Sequence, residues 1–343
     1  MAKQVLISIG AGRYQTSVIL TGQKLGYDVV AVDIDPNAVS LQYANQAIVA
    51  SAHSSDQTLR AIRQLLPGRD IAGVVTQAAR GCITTTAIVA KALGCPHLDV
   101  AAATLSLEKN KLIRQFHPEV LSQTINHPQD KVNDLSYPLL IKHDEGSGST
   151  GIQVINHADD MATILAADSQ RFPIHCHKLI VGRHFGVIGL ATNTGFYFYG
   201  VLEQFVNEDF RIQETILPAT MTEENEKMIL RTAQQYLERI GLNLGPFQVE
   251  LIQDEDGEIY LAEIEASILG SHISDKMIPG AGQNDFIMDS IKTLTQSEFT
   301  PDIQSNMYQM RNKFPNTASN PGSQHVFSRK KFSGSNNNSV IGI

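Results

Sequence analysis

Three glutamates in the last third of the chain stand where strands would concentrate their charge. Gly245-Pro246-Phe247-Gln248-Val249-Glu250-Leu251-Ile252 and Glu258-Ile259-Tyr260-Leu261-Ala262-Glu263-Ile264-Glu265 flank Asp254-Glu255-Asp256-Gly257, which reads as a hairpin turn. Glu250 lies four residues before that turn and Glu263 six after it, so antiparallel pairing sets them close together. Glu263 and Glu265 share a face by the two-residue period of a strand. Carboxylates converging among aliphatic neighbours repel one another unless a cation sits between them. An oxygen-only donor set calls for Mg²⁺ or Mn²⁺ rather than Zn²⁺. An exposed hairpin face is the competing reading, and Phe247, Val249, Leu251, Leu261 and Ile264 argue against it by implying burial.

A second constellation is basic. The apolar run Tyr137-Pro138-Leu139-Leu140-Ile141 ends in Lys142, and the loop Gly146-Ser147-Gly148-Ser149-Thr150-Gly151 follows before another strand, Ile152 to Ile155. Successive backbone N–H groups in such a loop form an anion site, to which Ser147, Ser149 and Thr150 add hydroxyl donors. No Gly-Lys-Ser/Thr closes the loop and no helix follows, so it is not a Walker A loop. Upstream, Ser106-Leu107-Glu108-Lys109-Asn110-Lys111 reads as a helix start with Ser106 as N-cap and Lys109 solvated. His175 and His177 alternate on a strand without a fourth ligand at zinc spacing, which makes them ordinary polar positions.

The elements that position these groups begin with Val5 to Ile9, a buried parallel strand ending at Gly10-Ala11-Gly12. A helix with Val18, Ile19, Leu20 and Leu25 stops at Gly26. Strands at Tyr27–Val32 and Ile71–Thr76 and a helix from about Thr84 to Leu93 follow. Their alternation implies a parallel sheet with right-handed crossovers. Gly10-x-Gly12 with Asp33 downstream resembles a dinucleotide fingerprint, but Gln15 stands in place of the third glycine, and a structural turn is the stronger reading. Arg80-Gly81, at the end of the third strand, suits a substrate carboxylate or a plain surface position equally. Thr220 and Glu223 have capping-box spacing before a helix lined by Met228, Ile229, Ala233, Tyr236, Leu237 and Ile240.

The 343 residues carry 27 Lys+Arg against 35 Asp+Glu, a net charge of −8, with 42% hydrophobic residues and no Trp. That is globular composition and a poor match to general nucleic-acid binding. No apolar run reaches the roughly 18–20 residues of a membrane span, and the N-terminus lacks a signal-peptide pattern. Cys82, Cys95 and Cys176 form no C-x-x-C pair, as in reduced cytoplasmic proteins. From about Pro301 the chain turns polar and asparagine-rich, reading as a solvated tail or an arm over a neighbouring subunit, with a homodimer possible.

Taken together, residues 3–295 resemble the ATP-grasp superfamily, in its carboxylate–amine ligase branch. The resemblance implies an α/β fold: a Rossmann-like N-terminal domain (1–105), then a two-lobed α+β ATP-grasp domain. Its small lobe (106–180) carries the glycine-rich loop, its large lobe (181–300) carries the metal-binding carboxylates, and a polar tail (301–343) ends the chain. It makes Lys111 and Lys142 the nucleotide lysines and residues 146–151 the phosphate cover. Lys178, Leu179 and Ile180 become the adenine hinge, and Glu250, Glu263 and Glu265 the Mg²⁺ (or Mn²⁺) ligands. His184 stands where the family has a ribose-binding Glu. The family's Glu-x-Asn-x-Arg is here Glu263-Ile264-Glu265-Ala266-Ser267, and Ser267 cannot replace a cationic Arg. Arg211, His272 and Lys276 are the candidates for that role. The segment Ser267 to Lys276, with Ser271, is where substrate recognition is expected, together with Arg80. The implied activity is ATP-dependent amide formation from small-molecule carboxylate and amine substrates through an acylphosphate. An ATP-grasp-like nucleotide-binding protein without ligase chemistry is the alternative.

Overall fold

The computed structural model describes residues 3–78, 80–120, 122–127, 129–130, 135, 137–143, 152–167, 172–270, 272–314 and 325–331, with backbone alone at 142, 143 and 167. The N-terminal unit is a parallel sheet of β1 (Val5–Ile9), β2 (Asp28–Asp33), β3 (Gln46–Val49) and β4 (Ile71–Thr76), in the order β3-β2-β1-β4. Every residue of β1 is buried, as a strand covered on both faces requires. The helices are α1 (Thr16–Lys24), α2 (Ser55–Leu65) and α3 (Gly81–Ala92), the last starting three residues before the expected Thr84. The strand order reverses between β1 and β4, so the crevice beyond their carboxyl ends is the place such a sheet offers a ligand.

Two details bear on the dinucleotide fingerprint. A Cβ at Gly22 would lie 2.7 Å from Leu6 Cδ2 and 2.9 Å from Val29 Cγ2, so the close helix–strand approach is made there, about two turns beyond the fingerprint. Asp33 spends its carboxylate on the chain itself: Oδ2 accepts from Ala11 N at 2.8 Å and Oδ1 from Asp35 N at 3.0 Å. The carboxylate braces the glycine turn.

Two short helices, α4 (Val100–Leu107) and α5 (Lys109–Phe116), connect to the next lobe. Asp99 caps α4 by accepting from Ala101 N and Ala102 N. Ser106 is not an N-cap. It lies in the last turn of α4 with its hydroxyl on Ala103 O at 2.9 Å, because the break falls at Glu108 (φ −90°, ψ 63°).

The second sheet is antiparallel: β5 (Ser122–Ile125), β6 (Leu139–His143), β7 (Gln153–Ile155) and β8 (Ile174–Lys178) in the order β5-β8-β6-β7, covered by α6 (Ala158–Ala167). Ile125, Leu139, Ile141, Ile155, Met161 and Ile174 form its core. His175 and His177 are buried on the other face of β8, His175 Nδ1 lying 3.0 Å from Thr124 Oγ1 and His177 Nδ1 2.8 Å from Lys178 O.

The third sheet comprises β9 (Arg183–Thr192), β10 (Gly195–Val206), β11 (Ile212–Leu217), β12 (Gly245–Gln253), β13 (Ile259–Glu265), β14 (Tyr308–Lys313) and β15 (Val326–Lys331), in the order β13-β12-β9-β10-β11-β14-β15. One face packs against α7 (Glu223–Ile240) through Phe185, Val187, Phe247, Val249, Leu251, Leu261 and Ile264. The cap of α7 is Thr222, whose hydroxyl accepts from Asn225 N, rather than Thr220, and Met228 is 41% exposed, off the buried stripe. The other face is covered by the stretch after β13: a π-helix (His272–Met277), then α8 (Ile278–Ala281) and α9 (Phe286–Thr293). The polar tail expected beyond residue 300 supplies two strands of this sheet. The reason is alternation: Met310 (7% exposed) and Asn312 (1%) face inward while the backbone of β14 pairs with β11.

Candidate active site

The hairpin of β12 and β13 carries the acids. Glu250 pairs directly with Glu263, and Gln248 with Glu265, so these four side chains share the face opposite Val249 and Ile264. A bulge does part of the placing. Leu251 pairs with Leu261 and Glu250 with Glu263, leaving Ala262 as the extra residue. The bulge keeps Leu261 and Ile264, three apart, both on the core side and re-aims the acids to the other side. Gly186 on β9 lies opposite Glu250. A Cβ there would stand 2.8 Å from Leu202 Cδ1 and 3.1 Å from Gln248 Nε2, so glycine keeps the floor open beside the acid.

The electrostatics are strained. Glu250 is pushed up from 4.5 to about 8 by burial first, then by the charges of Glu263 and Glu265; Lys109 and a 2.9 Å bond from Gln248 Nε2 pull it back in part. Glu265 is pushed up to about 7 by burial and by Glu263, against a 3.0 Å bond from Ser267 Oγ and the charge of Lys109. Lys109 Nζ forms an ion pair with Glu263. Sequence reasoning missed this contact: Lys109 was expected in solvent, but the break at Glu108 turns the first residue of α5 toward β13. Lys111 instead pairs with Glu108 at 2.9 Å, its side chain 65% exposed. Gln248 was also missed, although its position two residues before Glu250 on a strand signals the shared face.

Among the described residues no group of three or more His, Cys, Asp or Glu is posed to hold a metal by itself. The carboxyls of Glu250 and Glu265, whose ionisation is suppressed by burial and by the neighbouring acids, nevertheless offer hard oxygens that fit a divalent cation completing its shell outside the protein.

The other expected residues fall in several places. Lys142 is the fourth residue of β6; the loop Gly146, Ser147, Gly148, Ser149 and Thr150, like Ser271, lies outside the described residues. Lys178 ends β8, exposed. Leu179 N donates to Pro138 O at 3.0 Å, and Ile180 leads towards β9. His184 on β9, opposite Ile252 and Gln204, is held below its usual pKa by burial. Arg211 is exposed in the turn before β11, its backbone N–H bonded to Asn207 Oδ1 at 2.9 Å, and Lys276 is exposed on the π-helix. Arg80 precedes α3 in a positive-φ conformation (φ 63°, ψ −137°). Ser267 is 2% exposed, and the chain just after it docks on the end of β4: Ile268 N donates to Thr76 O at 3.1 Å and Gln77 Nε2 to Leu269 O at 2.9 Å. The last acid strand and the β1/β4 crevice are therefore adjoining parts of one region. Tyr14 and His325 border it and were not read from the sequence.

A parallel-sheet domain, an antiparallel small lobe and a large sheet carrying carboxylates together have the architecture of the ATP-grasp ligases. Residues 109–271 match the ATP-grasp domain family. The L-amino acid ligase of Bacillus licheniformis superposes with a TM-score of 0.76 over 91% of this chain and 80% of that one, at 19% identity. A carboxyaminoimidazole ribonucleotide synthase of Aspergillus clavatus, complexed with ATP, gives 0.70 over 91% and 81%, at 17% identity. In sequence, a formate-dependent phosphoribosylglycinamide formyltransferase of Methanocaldococcus jannaschii is 22% identical over 225 residues, 63% of this chain. The matched region spans half the length of that relative. No helix among the described residues is long and apolar enough to cross a membrane.

Proposed function

We propose that the protein is an ATP-dependent carboxylate–amine ligase acting on amino acids or related small acids. The observation that carries the reading is the trio Glu250, Glu263 and Glu265, on one sheet face, short of positive charge and faced by Lys109. The fold likeness to ligases that join carboxylates to amines, among them the Bacillus licheniformis enzyme, supports it.

In this reading a substrate carboxylate oxygen attacks the γ-phosphorus of ATP, ADP leaves, and the amine lone pair then displaces phosphate from the acyl carbon. Such chemistry rests on positioning and charge neutralisation. Glu263 and Glu265, with Glu250, would hold Mg²⁺, which when bound would neutralise phosphate charge. Lys109 would hold a phosphate oxygen, and Lys142 with the 146–151 loop would hold others. Lys178, Leu179 and Ile180 flank the adenine, with His184 near the ribose, and Arg80 or the Ser267–Lys276 segment receives the acyl or amine substrate. Lys111, paired on the outer side of α5, is assigned no phosphate.

ADP release measured with the amino acids and small carboxylates in pairs tests the reading. Release that requires both a carboxylate and an amine is expected. Nucleotide binding without any pair-dependent release would favour the binding-protein alternative, which the cation missing at Ser267 motivates.

A further inference from the structure

His272 opens the π-helix that follows the acid strand, and its ring is fixed from two sides. Tyr14, from the turn after β1, meets it edge-on with ring centroids 6.0 Å apart at 66°. His325, immediately before β15, lies against its face with centroids 3.7 Å apart and the planes at 31°. His325 is itself walled by Phe314 at 4.7 Å and Phe327 at 6.3 Å. Its Nδ1 lies 3.3 Å from Oδ1 of Asn312, a residue 1% exposed. A carbonyl oxygen accepts, so Nδ1 of His325 carries the proton and is committed. The nitrogens of His272 have no hydrogen-bond partner among the described residues. A half-buried ring locked in place with uncommitted nitrogens is what a ligand contact prepared in advance looks like.

Its location has a matching need. The segment carrying His272 is tied to the parallel sheet by Gln77 Nε2 on Leu269 O and by Ser17 Oγ on Asp275, which sets the imidazole at the β1/β4 crevice, beyond Ser267. Ser267 is where the last acid motif lacks a cation. Burial holds both imidazoles below their usual pKa, and at stacking distance a charge on one disfavours a charge on the other. A neutral imidazole can still donate one hydrogen bond to a developing oxyanion.

We propose that His325, carried by the C-terminal hairpin, is a positioning residue that locks His272 over the crevice so that His272 donates a hydrogen bond to the anionic oxygen of the acyl substrate. The proposal rests on the ligase reading for the identity of that anion, and it assigns the hairpin, beyond the ATP-grasp match, a part in the site.

The test is a double-mutant cycle on the full chain, read as ADP release with MgATP and amino-acid pairs. His272→Ala lowers kcat about 100-fold with KM for ATP unchanged. His325→Ala lowers kcat about tenfold, and His325→Phe, which keeps the stack, restores most of it. In the His272→Ala background, His325→Ala has no further effect. Full activity of His325→Ala, or an equal loss in both backgrounds, overturns the proposal. A second measurement needs no turnover: inorganic phosphate added to the MgADP complex raises the melting temperature of the wild type and His325→Phe more than that of His272→Ala or His325→Ala. Equal phosphate shifts in all four overturn the anion role. Phosphate shifts that depend on both histidines, in a wild type with no pair-dependent ADP release, keep the anion contact and the positioning role of His325 but remove the ligase reading and with it the acyl substrate as the anion.

Discussion

Glu250→Gln separates what the acid costs the fold from what it gives the reaction. The free protein holds this carboxyl from 4.5 up to about 8, so its folded form binds the proton more tightly than the unfolded chain does. The sign follows: stability from this group is full below pH 4.5 and is lost as the pH rises through 8. At about 1.4 kcal/mol per pKa unit, complete burial would cost ~5 kcal/mol once the acid ionises. Glu250 is half-buried, and halving for solvent screening leaves ~2 kcal/mol. Glutamine keeps the shape and can still accept the bond from Gln248 while carrying no charge. In metal- and nucleotide-free buffer, the variant and the wild type melt together near pH 5, and at pH 8.5 the variant is more stable by ~2 kcal/mol, a shift of a few degrees. Its pair-dependent ADP release falls at least ~100-fold, a gain in stability coupled to a loss of function. A variant less stable than the wild type at pH 8.5, or one with wild-type turnover, would refute the reasoning.

Glu263→Ala removes a proposed metal ligand from an edge strand and abolishes ADP release with the circular dichroism spectrum unchanged; full activity would withdraw the assignment. Lys109→Ala lowers kcat/KM for ATP about 100-fold, whereas Lys111→Ala, which breaks one exposed pair on α5, stays within about twofold; steady-state kinetics with varied ATP decide between the two lysines. Tyr199→Phe, far from the acids, deprives the buried Asp289 of a 2.6 Å bond and costs ~1–3 kcal/mol of stability by chemical denaturation, with kcat retained.

Much of the acid site was legible because a hairpin sets its own register. The turn at Asp254–Gly257 and the strand period bring Glu250 within a residue of Glu263, and the bulge at Ala262 makes the pairing direct. The bulge that completes the pairing is foreshadowed by Leu261 and Ile264, apolar residues at a spacing no regular strand puts on one face. The parallel sheet was legible from its apolar runs. Lys109 was not, because its direction depends on one backbone break at Glu108, where a continuous helix from Ser106 fits the local pattern equally well. Thr220 and Thr222 are both sound caps two residues apart, and tertiary packing of α7 chooses. The C-terminal strands were hidden by composition. Tyr308, Met310 and Asn312 do alternate, but an asparagine buried in a sheet reads as loop, and its burial depends on the long-range pairing of β14 with β11.

The central claim is that the acids accept a cation together with the nucleotide, and proton release measures it. With Glu250 at about 8 and Glu265 at about 7, both are partly protonated at pH 7 and must lose those protons to coordinate a metal. Calorimetric titration of a non-hydrolysable MgATP analogue at pH 7, repeated in buffers of different ionisation enthalpy, is expected to show release of on the order of one proton per site. Release should vanish when Mg²⁺ is withheld, and fall to the fraction carried by Glu265 when Glu250 is changed to Gln. Tight Mg²⁺-dependent binding with no proton release, or with uptake, would contradict the account.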